Sequence, residues 1–421
     1  ISQDGQKEAM EHAGRTGGLP FVGTGWYRLD FEVPEFTKGK KATLIFDGAM
    51  SHAQVYVNGK NAGEWPYGYN SFYLDVTPYL NAGSKNTLAV RLENETESSR
   101  WYPGAGLYRN VHLVVSEDAH VPVWGTQVTT PVITDSFAHV HLNTTWVMPG
   151  EKDVASYRIV TEIKDANGKM VSREEEPLSK FDNKVFSQDF VVENPVLWTP
   201  ETPYLYMAES KIYEGNELKD EYKTSFGIRS IKIIPDKGFF LNGKRTQFKG
   251  VCNHHDLGPL GAAVNDAAIR RQIRVLKDMG CNAIRTSHNM PAPELVKACD
   301  EMGMMVMVET FDEWATAKCA NGYHKLFDQW VEKDLVNVLR HYRNNPSVVM
   351  WCVGNEVSDQ WNGDLGPKLS RRLQDICHRE DPTRPVTQGM DIPDAVVNNN
   401  MAAVMDVPGF NYRPHKYQEN Y

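Results

Sequence analysis

The chain has 421 residues, of which 41% are hydrophobic, 24% charged and 10% aromatic; this is a globular composition and excludes a disordered chain. No apolar run approaches the ~20 residues of a membrane-spanning helix, which excludes a helical transmembrane protein. Lys and Arg number 45 against 54 Asp and Glu, a net charge of −9 that argues against a face-wide nucleic-acid footprint and leaves room only for a local basic patch. At roughly 150 residues per domain the length predicts two or three domains.

The first residues, 1–18, are polar and begin with Ile1 rather than Met. No signal peptide is legible there, and a trimmed N-terminus is expected. From 19 to 117 the pattern is that of strands: 26–33 (WYRLDFEV), 41–46 (KATLIF), 54–57 (QVYV) and 87–92 (TLAVRL). Asp47-Gly48, Asn58-Gly59 and Asn81-Ala82-Gly83 punctuate them, which predicts a β-sandwich. Residues 118–229 repeat the grammar with strands at 138–146, 157–163, 185–192 and 204–213. This second unit fits an immunoglobulin-like sandwich without the Cys pair of antibody domains.

After Gly227 the grammar changes. A hairpin at 239–245 and an apolar strand at 248–251 open a run of alternating units. Helices are predicted at 266–279, with Asp266 as the N-cap, and at 293–302, 326–342 and 365–378. Strands are predicted at 282–286, 304–308, 348–353, 385–388 and 403–410. Strands alternating with helices mean a parallel sheet. Six strands are counted, whereas a (β/α)8 TIM barrel needs eight and ~250 residues. An open six-stranded sheet is the alternative to a barrel cut short.

All six cysteines lie at or after Cys252, without metal-type spacing, and are expected to be buried thiols. The abundant aromatic residues have two readings, core packing and stacking on sugar rings. The sharpest chemical signal is WCVGNEVSD at 351–359, which puts Asn355 and Glu356 at the C-terminal end of an apolar strand. Parallel barrels keep their active sites there, and a carboxyl beside an amide suits a general acid for a leaving oxygen. A helix-capping Asn-Glu pair is the bland alternative. Other strand ends decide between them. Asn253, His254, His255 and Asp256 follow the first strand; Arg285, Ser287, His288 and Asn289 the second; Glu309, Asp312, Glu313 and Trp314 the third. Asp391 follows the fifth, and Asn411, Tyr412 and Arg413 the sixth. This convergence predicts a site for a hydroxyl-rich ligand such as a carbohydrate.

Metal chemistry has weaker support. Adjacent residues on a strand point to opposite sides, so His254 and His255 cannot easily share an ion. Glu309, Asp312 and Glu313 could offer oxygen ligands to Mg²⁺, against solvated or Arg-paired carboxylates. No Ser-His-Asp signature, phosphate loop or dinucleotide fingerprint is present; Gly104-Ala105-Gly106 lacks the third glycine and the strand–helix context.

These motifs together resemble glycoside hydrolase family 2, the β-galactosidase and β-glucuronidase group, and most of all the bacterial β-galactosidases. GWYRLDF, VYVNGK and SRWYPGAGLYRNVHL resemble the family's jelly-roll-like sugar-binding sandwich. FGIRSI resembles the junction from the immunoglobulin-like domain to the barrel. FFLNGKRTQFKGVCNHHD, MGCNAIRTSHN, ETFDEW and NPSVVMWCVGNE follow in the family's order. The implied domains are 1–117, 118–229 and 230–421, the last an incomplete TIM barrel. By the resemblance Glu356 is the acid/base and Asn355 contacts the sugar hydroxyl beside the reacting carbon. His254 and His288 line the site of the reacting sugar and Arg285 supports it. Arg100 and Trp101 reach in from the first sandwich, Asp312 or Glu313 binds sugar hydroxyls, and Tyr412 sits near the nucleophile.

Two departures carry expectations of their own. A retaining enzyme needs a second carboxylate ~5–5.5 Å from the first. In the family it is a Glu at the end of the seventh strand, so the nucleophile is expected beyond Tyr421, the chain is expected to be a fragment, and it is expected to be inactive alone. Asp391 and Glu419 are the nearest acids and neither stands at that strand end. The WAT after Glu313 lacks the His that falls near Ala315 in metal-dependent relatives, which argues against Mg²⁺ and for no cofactor. The leading expectation is a retaining exo-β-glycosidase acting on terminal β-galactosides. β-Glucuronidase or β-mannosidase activity is the alternative within the class, and a non-catalytic carbohydrate-binding protein the alternative outside it. Neither nucleic acid nor membrane is expected as a partner. A homo-oligomer and a periplasmic or secreted setting agree with the family and are open.

Overall fold

A computed structural model describes residues 22–147, 154–178 and 185–419. The polar stretch read at 1–18 lies outside them. The first sandwich packs an antiparallel sheet ordered Gly23–Val33, Ser84–Asn94, Ala53–Val57, Lys60–Trp65 on a second ordered Phe72–Asp75, Lys41–Phe46, Val111–Ser116. Alternation builds its core: Ala42, Leu44 and Phe46 point inward against Val55, Val57, Leu88 and Val90. The second sandwich pairs a four-stranded sheet (Met170–Pro177, Tyr157–Lys164, Tyr206–Glu214, Glu217–Phe226) with a three-stranded one (Val185–Glu193, Phe137–Thr145, Thr126–Ile133).

The rest is a parallel sheet with helices. Its strands, in sheet order and chain order alike, are β1 (Gly250–Asn253), β2 (Ala283–Thr286), β3 (Met305–Glu309), β4 (Val348–Asn355), β5 (Val386–Met390) and β6 (Val407–Phe410). Among the described residues β1 and β6 are edges, so the sheet is part of a barrel wall rather than a closed ring. Every residue of β4 is buried, as expected for a parallel strand covered on both faces. The helices are α1 (Asp266–Asp278), α2 (Pro293–Met302), α3 (Phe327–Tyr342) and α4 (Leu365–Glu380). In α3, Phe327, Val331, Leu335, Val338, Leu339 and Tyr342 recur at helical spacing and bury one stripe.

Two local expectations are corrected. The cap of α1 is Asn265, whose side chain accepts from the Ala268 N–H; Asp266 is the first helical residue and complements the helix dipole instead. The expected strand 403–410 is split. Met401–Val404 forms a helical turn, and only Val407–Phe410 joins the sheet. Met401 and Ala402 bury against the barrel core from this turn, and an apolar run as short as 401–404 does not report its period.

The domains are joined by buried polar groups. Arg109 of the first sandwich donates to the carbonyls of Met290 (2.8 Å), Pro291 (3.1 Å), Tyr69 (2.8 Å) and Asp47 (3.2 Å). Arg229, ending the second sandwich, donates to the carbonyls of Pro346 (2.6 Å) and Val348 (2.7 Å) under β4. Asp334 on α3 accepts from Trp65 Nε1 (2.8 Å), Asn70 Nδ2 (2.9 Å) and Tyr323 Oη (2.6 Å).

Burial pushes the Asp334 carboxyl up to about 7 despite those three donors. Its unfolded value is near 3.9, so between these values the folded state holds the extra proton, and stability falls as pH rises through the window. Asp334→Asn, which mimics the neutral acid, is expected to remove that slope. Urea denaturation at intervals from pH 4 to 8 measures it; equal slopes in wild type and variant would refute the assignment.

Candidate active site

Polar side chains gather at the C-terminal ends of the parallel strands, around the end of β4. Asn355 is its last residue, and Glu356 turns away with φ +44°, a left-handed conformation unusual for a side-chain-bearing residue. The turn is held by the Glu356 N–H donating to the Gly389 carbonyl of β5 (2.7 Å). Asn411, just past β6, donates through Nδ2 to both Glu356 Oε1 (2.9 Å) and Asn355 Oδ1 (3.2 Å). Tyr412 lies near Glu356, and the titration of its hydroxyl is raised by burial and by that negative charge. Tyr412 itself is 75% exposed at the rim.

Asn355 is held from three sides. Its Oδ1 also accepts from Arg285 Nη2 (2.9 Å), and its Nδ2 donates to Asp312 Oδ1 (2.9 Å). Arg100 arrives from the loop between the last two strands of the first sandwich and grips Asp312 with both nitrogens, Nε to Oδ2 at 2.8 Å and Nη2 to Oδ1 at 2.7 Å. Lys318 reaches Asp312 Oδ1 (3.2 Å) and the Asn355 carbonyl (2.5 Å). Burial alone would raise the Asp312 carboxyl, but Arg100, Lys318 and Asn355 outweigh it and hold it at about 2. Asp312 is therefore an anion at any working pH. The Trp101 ring lies 4.6 Å from His254 and 5.4 Å from His288, forming an aromatic wall.

His254 and His255 face opposite ways. His254 joins Trp101 and His288, whereas His255 packs among Tyr69, Tyr102 and Tyr108 and pairs with the Pro103 carbonyl at 3.2 Å. Burial pushes the His255 imidazole down to about 3, so it is a neutral packing group under the incoming loop.

Asp312 and Glu313 part company as well. Glu313 Oε2 accepts from the N–H groups of Lys318 (2.7 Å) and Cys319 (3.0 Å), and Oε1 from His324 N (2.7 Å) and Nδ1 (2.6 Å). Both oxygens hold the loop that carries Lys318, which leaves Asp312 as the member of the pair placed with Asn355. The possible Mg²⁺ ligands do not fit a cation. Asp312 is paired with Arg100 and Lys318, Glu313 is saturated by N–H donors, and Glu309 is held between the Arg285 and His288 side chains.

Asp391 accepts from Gln360 (2.7 Å) and Glu419 pairs with Lys416 (3.0 Å), so both are engaged elsewhere. Lys318 is a lone lysine in an irregular loop, and no spacing in the sequence marks it. Asn411 is among the converging polar groups of the strand ends, and its contact with Glu356 emerges only in the structure. The Asn-Tyr pair after β6 was the available signal.

Gly389 of β5 faces this network. A Cβ there would lie 2.6 Å from Arg285 Nη2 and 3.0 Å from Asn411 Nδ2. Gly389→Val is expected to displace both donors from Asn355 and Glu356 and to weaken ligand binding at least tenfold, as loss of one charge-assisted hydrogen bond does. Titration calorimetry with wild type and variant, alongside circular dichroism, tests this; unchanged affinity would contradict it.

Comparison with known proteins identifies the family of all three parts of the chain. Residues 19–116 match the model "Glycosyl hydrolases family 2, sugar binding domain", 120–229 match "Glycosyl hydrolases family 2", and 232–415 match "Glycosyl hydrolases family 2, TIM barrel domain". The chain belongs to glycoside hydrolase family 2. A family 2 relative, the β-galactosidase BoGH2A of Bacteroides ovatus, is 40% identical over 96% of this chain and 51% of its own length. A β-glucuronidase of Bacteroides fragilis is 27% identical over 87% of this chain and 54% of its own. Among solved structures, a family 2 member from Bacteroides cellulosilyticus superposes with a TM-score of 0.93 at 36% identity, covering 99% of this chain and 54% of that one. The chain thus spans about half the length of the relatives it matches. The fold is that of family 2, with sugar-binding, immunoglobulin-like and TIM-barrel parts, and the chain is of glycoside hydrolase type.

Proposed function

We propose that residues 1–117, 118–229 and 230–421 form the sandwich, immunoglobulin-like and barrel parts of a retaining exo-β-glycosidase that removes terminal β-galactosyl groups. The observation that carries the reading is the placement of Glu356. It stands at a parallel strand end, hydrogen-bonded by Asn411 and close to Tyr412, beside an Asn355 amide fixed by Arg285 and Asp312. In this reading Glu356 protonates the departing glycosidic oxygen and then takes a proton from the attacking water. Asn355 Nδ2 donates to the hydroxyl beside the reacting carbon. His254, His288 and Trp101 wall the sugar, and the second carboxylate of the double displacement comes from sequence following residue 421.

The 40% identity to a β-galactosidase supports the galactoside, and the β-glucuronidase among the relatives supports a uronide as the second reading. The test is hydrolysis of 4-nitrophenyl β-galactoside and β-glucuronide by residues 1–421 and by the protein extended to the length of its relatives. Turnover of the galactoside only by the longer form is expected. Preference for the glucuronide would replace the substrate assignment. Galactoside binding by the longer form with no hydrolysis of either would favour a carbohydrate-binding protein.

A further inference from the structure

Glu309 closes β3 with its side chain wholly buried, and no role above uses it. One oxygen lies 2.8 Å from His288 Nδ1 and the other 2.5 Å from Arg285 Nε. Its backbone N–H donates to Thr286 Oγ1 at 2.9 Å, which locks β3 to β2 at this level. The Arg285 contact is an ion pair rather than an aligned hydrogen bond, since Oε2 meets no donor in good geometry. Arg285 extends the connection through Nη2 to Asn355 Oδ1 at 2.9 Å. A buried carboxylate thus touches one wall of the site directly and the other through a single guanidinium.

An ionised carboxylate only accepts hydrogen bonds, so a neutral His288 must carry its proton on Nδ1. Nε2, on the far side of the ring from Glu309, is then a bare acceptor, and it has no protein partner among the described residues. Arg285 only donates, so Asn355 must turn Oδ1 toward it and Nδ2 toward Asp312 and the mouth.

We propose that Glu309 is a positioning residue that sets the hydrogen-bonding polarity of the site, making His288 an acceptor and Asn355 a donor toward the sugar. A hydroxyl that gives its proton to His288 and another that receives one from Asn355 are both matched. A ligand of reversed polarity leaves buried groups unpaired. The consequence for turnover rests on the glycosidase reading; the tautomer assignment does not.

The first test needs no activity. Long-range proton–nitrogen spectra of the chain labelled with 15N-histidine, with His288→Gln to assign the signal, are expected to show His288 as the Nδ1–H tautomer. Glu309→Ala is expected to release it to the Nε2–H form common for free imidazole. An Nε2–H tautomer in the wild-type chain overturns the proposal, whether or not the variant folds. The second test uses the extended, hydrolysing protein. Glu309→Gln is expected to lower kcat/KM at least tenfold for the 2-hydroxy glycoside and several-fold less for the 2-deoxy analogue, which offers Asn355 nothing to bind. Equal losses on both substrates would mean Glu309 is merely structural and would overturn the proposal. No turnover by wild type would instead count against the glycosidase reading and leave the spectroscopic result standing.

Discussion

Glu356→Gln in the extended protein is expected to lower turnover of an alkyl β-galactoside by about 10²–10⁴-fold, the range of a positioned proton donor. The loss should depend on the leaving group. An alkoxide departs only if its oxygen is protonated, whereas a dinitrophenolate departs without help. Cleavage of the dinitrophenyl glycoside should therefore persist in its first step and stall at the second, where water needs a base. Azide, a nucleophile that needs no deprotonation, should restore turnover of that substrate and yield a glycosyl azide. The geometry makes this variant informative, because Asn411 Nδ2 can still donate to the glutamine carbonyl oxygen. Equal losses on both substrates, with no azide effect, would remove Glu356 from the acid/base role.

Arg109→Met is expected to produce a large loss of stability. Asp47 and Pro291 keep other donors, Ser71 Oγ and Tyr342 Oη, when the guanidinium is removed. The carbonyls of Tyr69 and Met290 lose their Arg109 donor inside the junction of the first sandwich and the barrel. At about 1–3 kcal/mol for each stranded acceptor, the cost is roughly 2–6 kcal/mol, comparable with the whole stability of many domains. The first sandwich should then open separately from the barrel. Denaturant unfolding followed by fluorescence and by limited proteolysis tests this. A single transition shifted by less than about 1 kcal/mol would show that Arg109 is dispensable.

Most of the fold was legible because periodicity reports burial. Alternation in KATLIF and the helical stripe of 326–342 each follow from which face meets the core. The 401–404 turn was not, since a run that short is apolar in either conformation. The candidate site was legible where it sits on strand ends. Asn355, Glu356, Arg285 and His288 gather because parallel strands share one polarity. Lys318 was hidden because its approach depends on a loop shaped by Glu313. Asp334 and Arg109 were hidden because their partners are distant in sequence, as Trp65 is from Asp334. The distinction between Asp312 and Glu313 needed coordinates, because neighbouring acids in one loop look alike until their donors are known.

The loop that carries Arg100 and Trp101 is pinned to the barrel, with the Asn321 N–H donating to the Glu97 carbonyl (3.0 Å) and Asn321 Nδ2 to that of Thr96 (2.8 Å). The cavity at the strand ends is therefore shared between two domains of the chain. A chimera that exchanged barrels at residue 230 would keep Glu356 yet inherit a foreign aromatic wall and a foreign guanidinium for Asp312. An exchange that kept these contacts would have to move residues 94–107 together with 310–326, two segments far apart in the sequence that meet in one place.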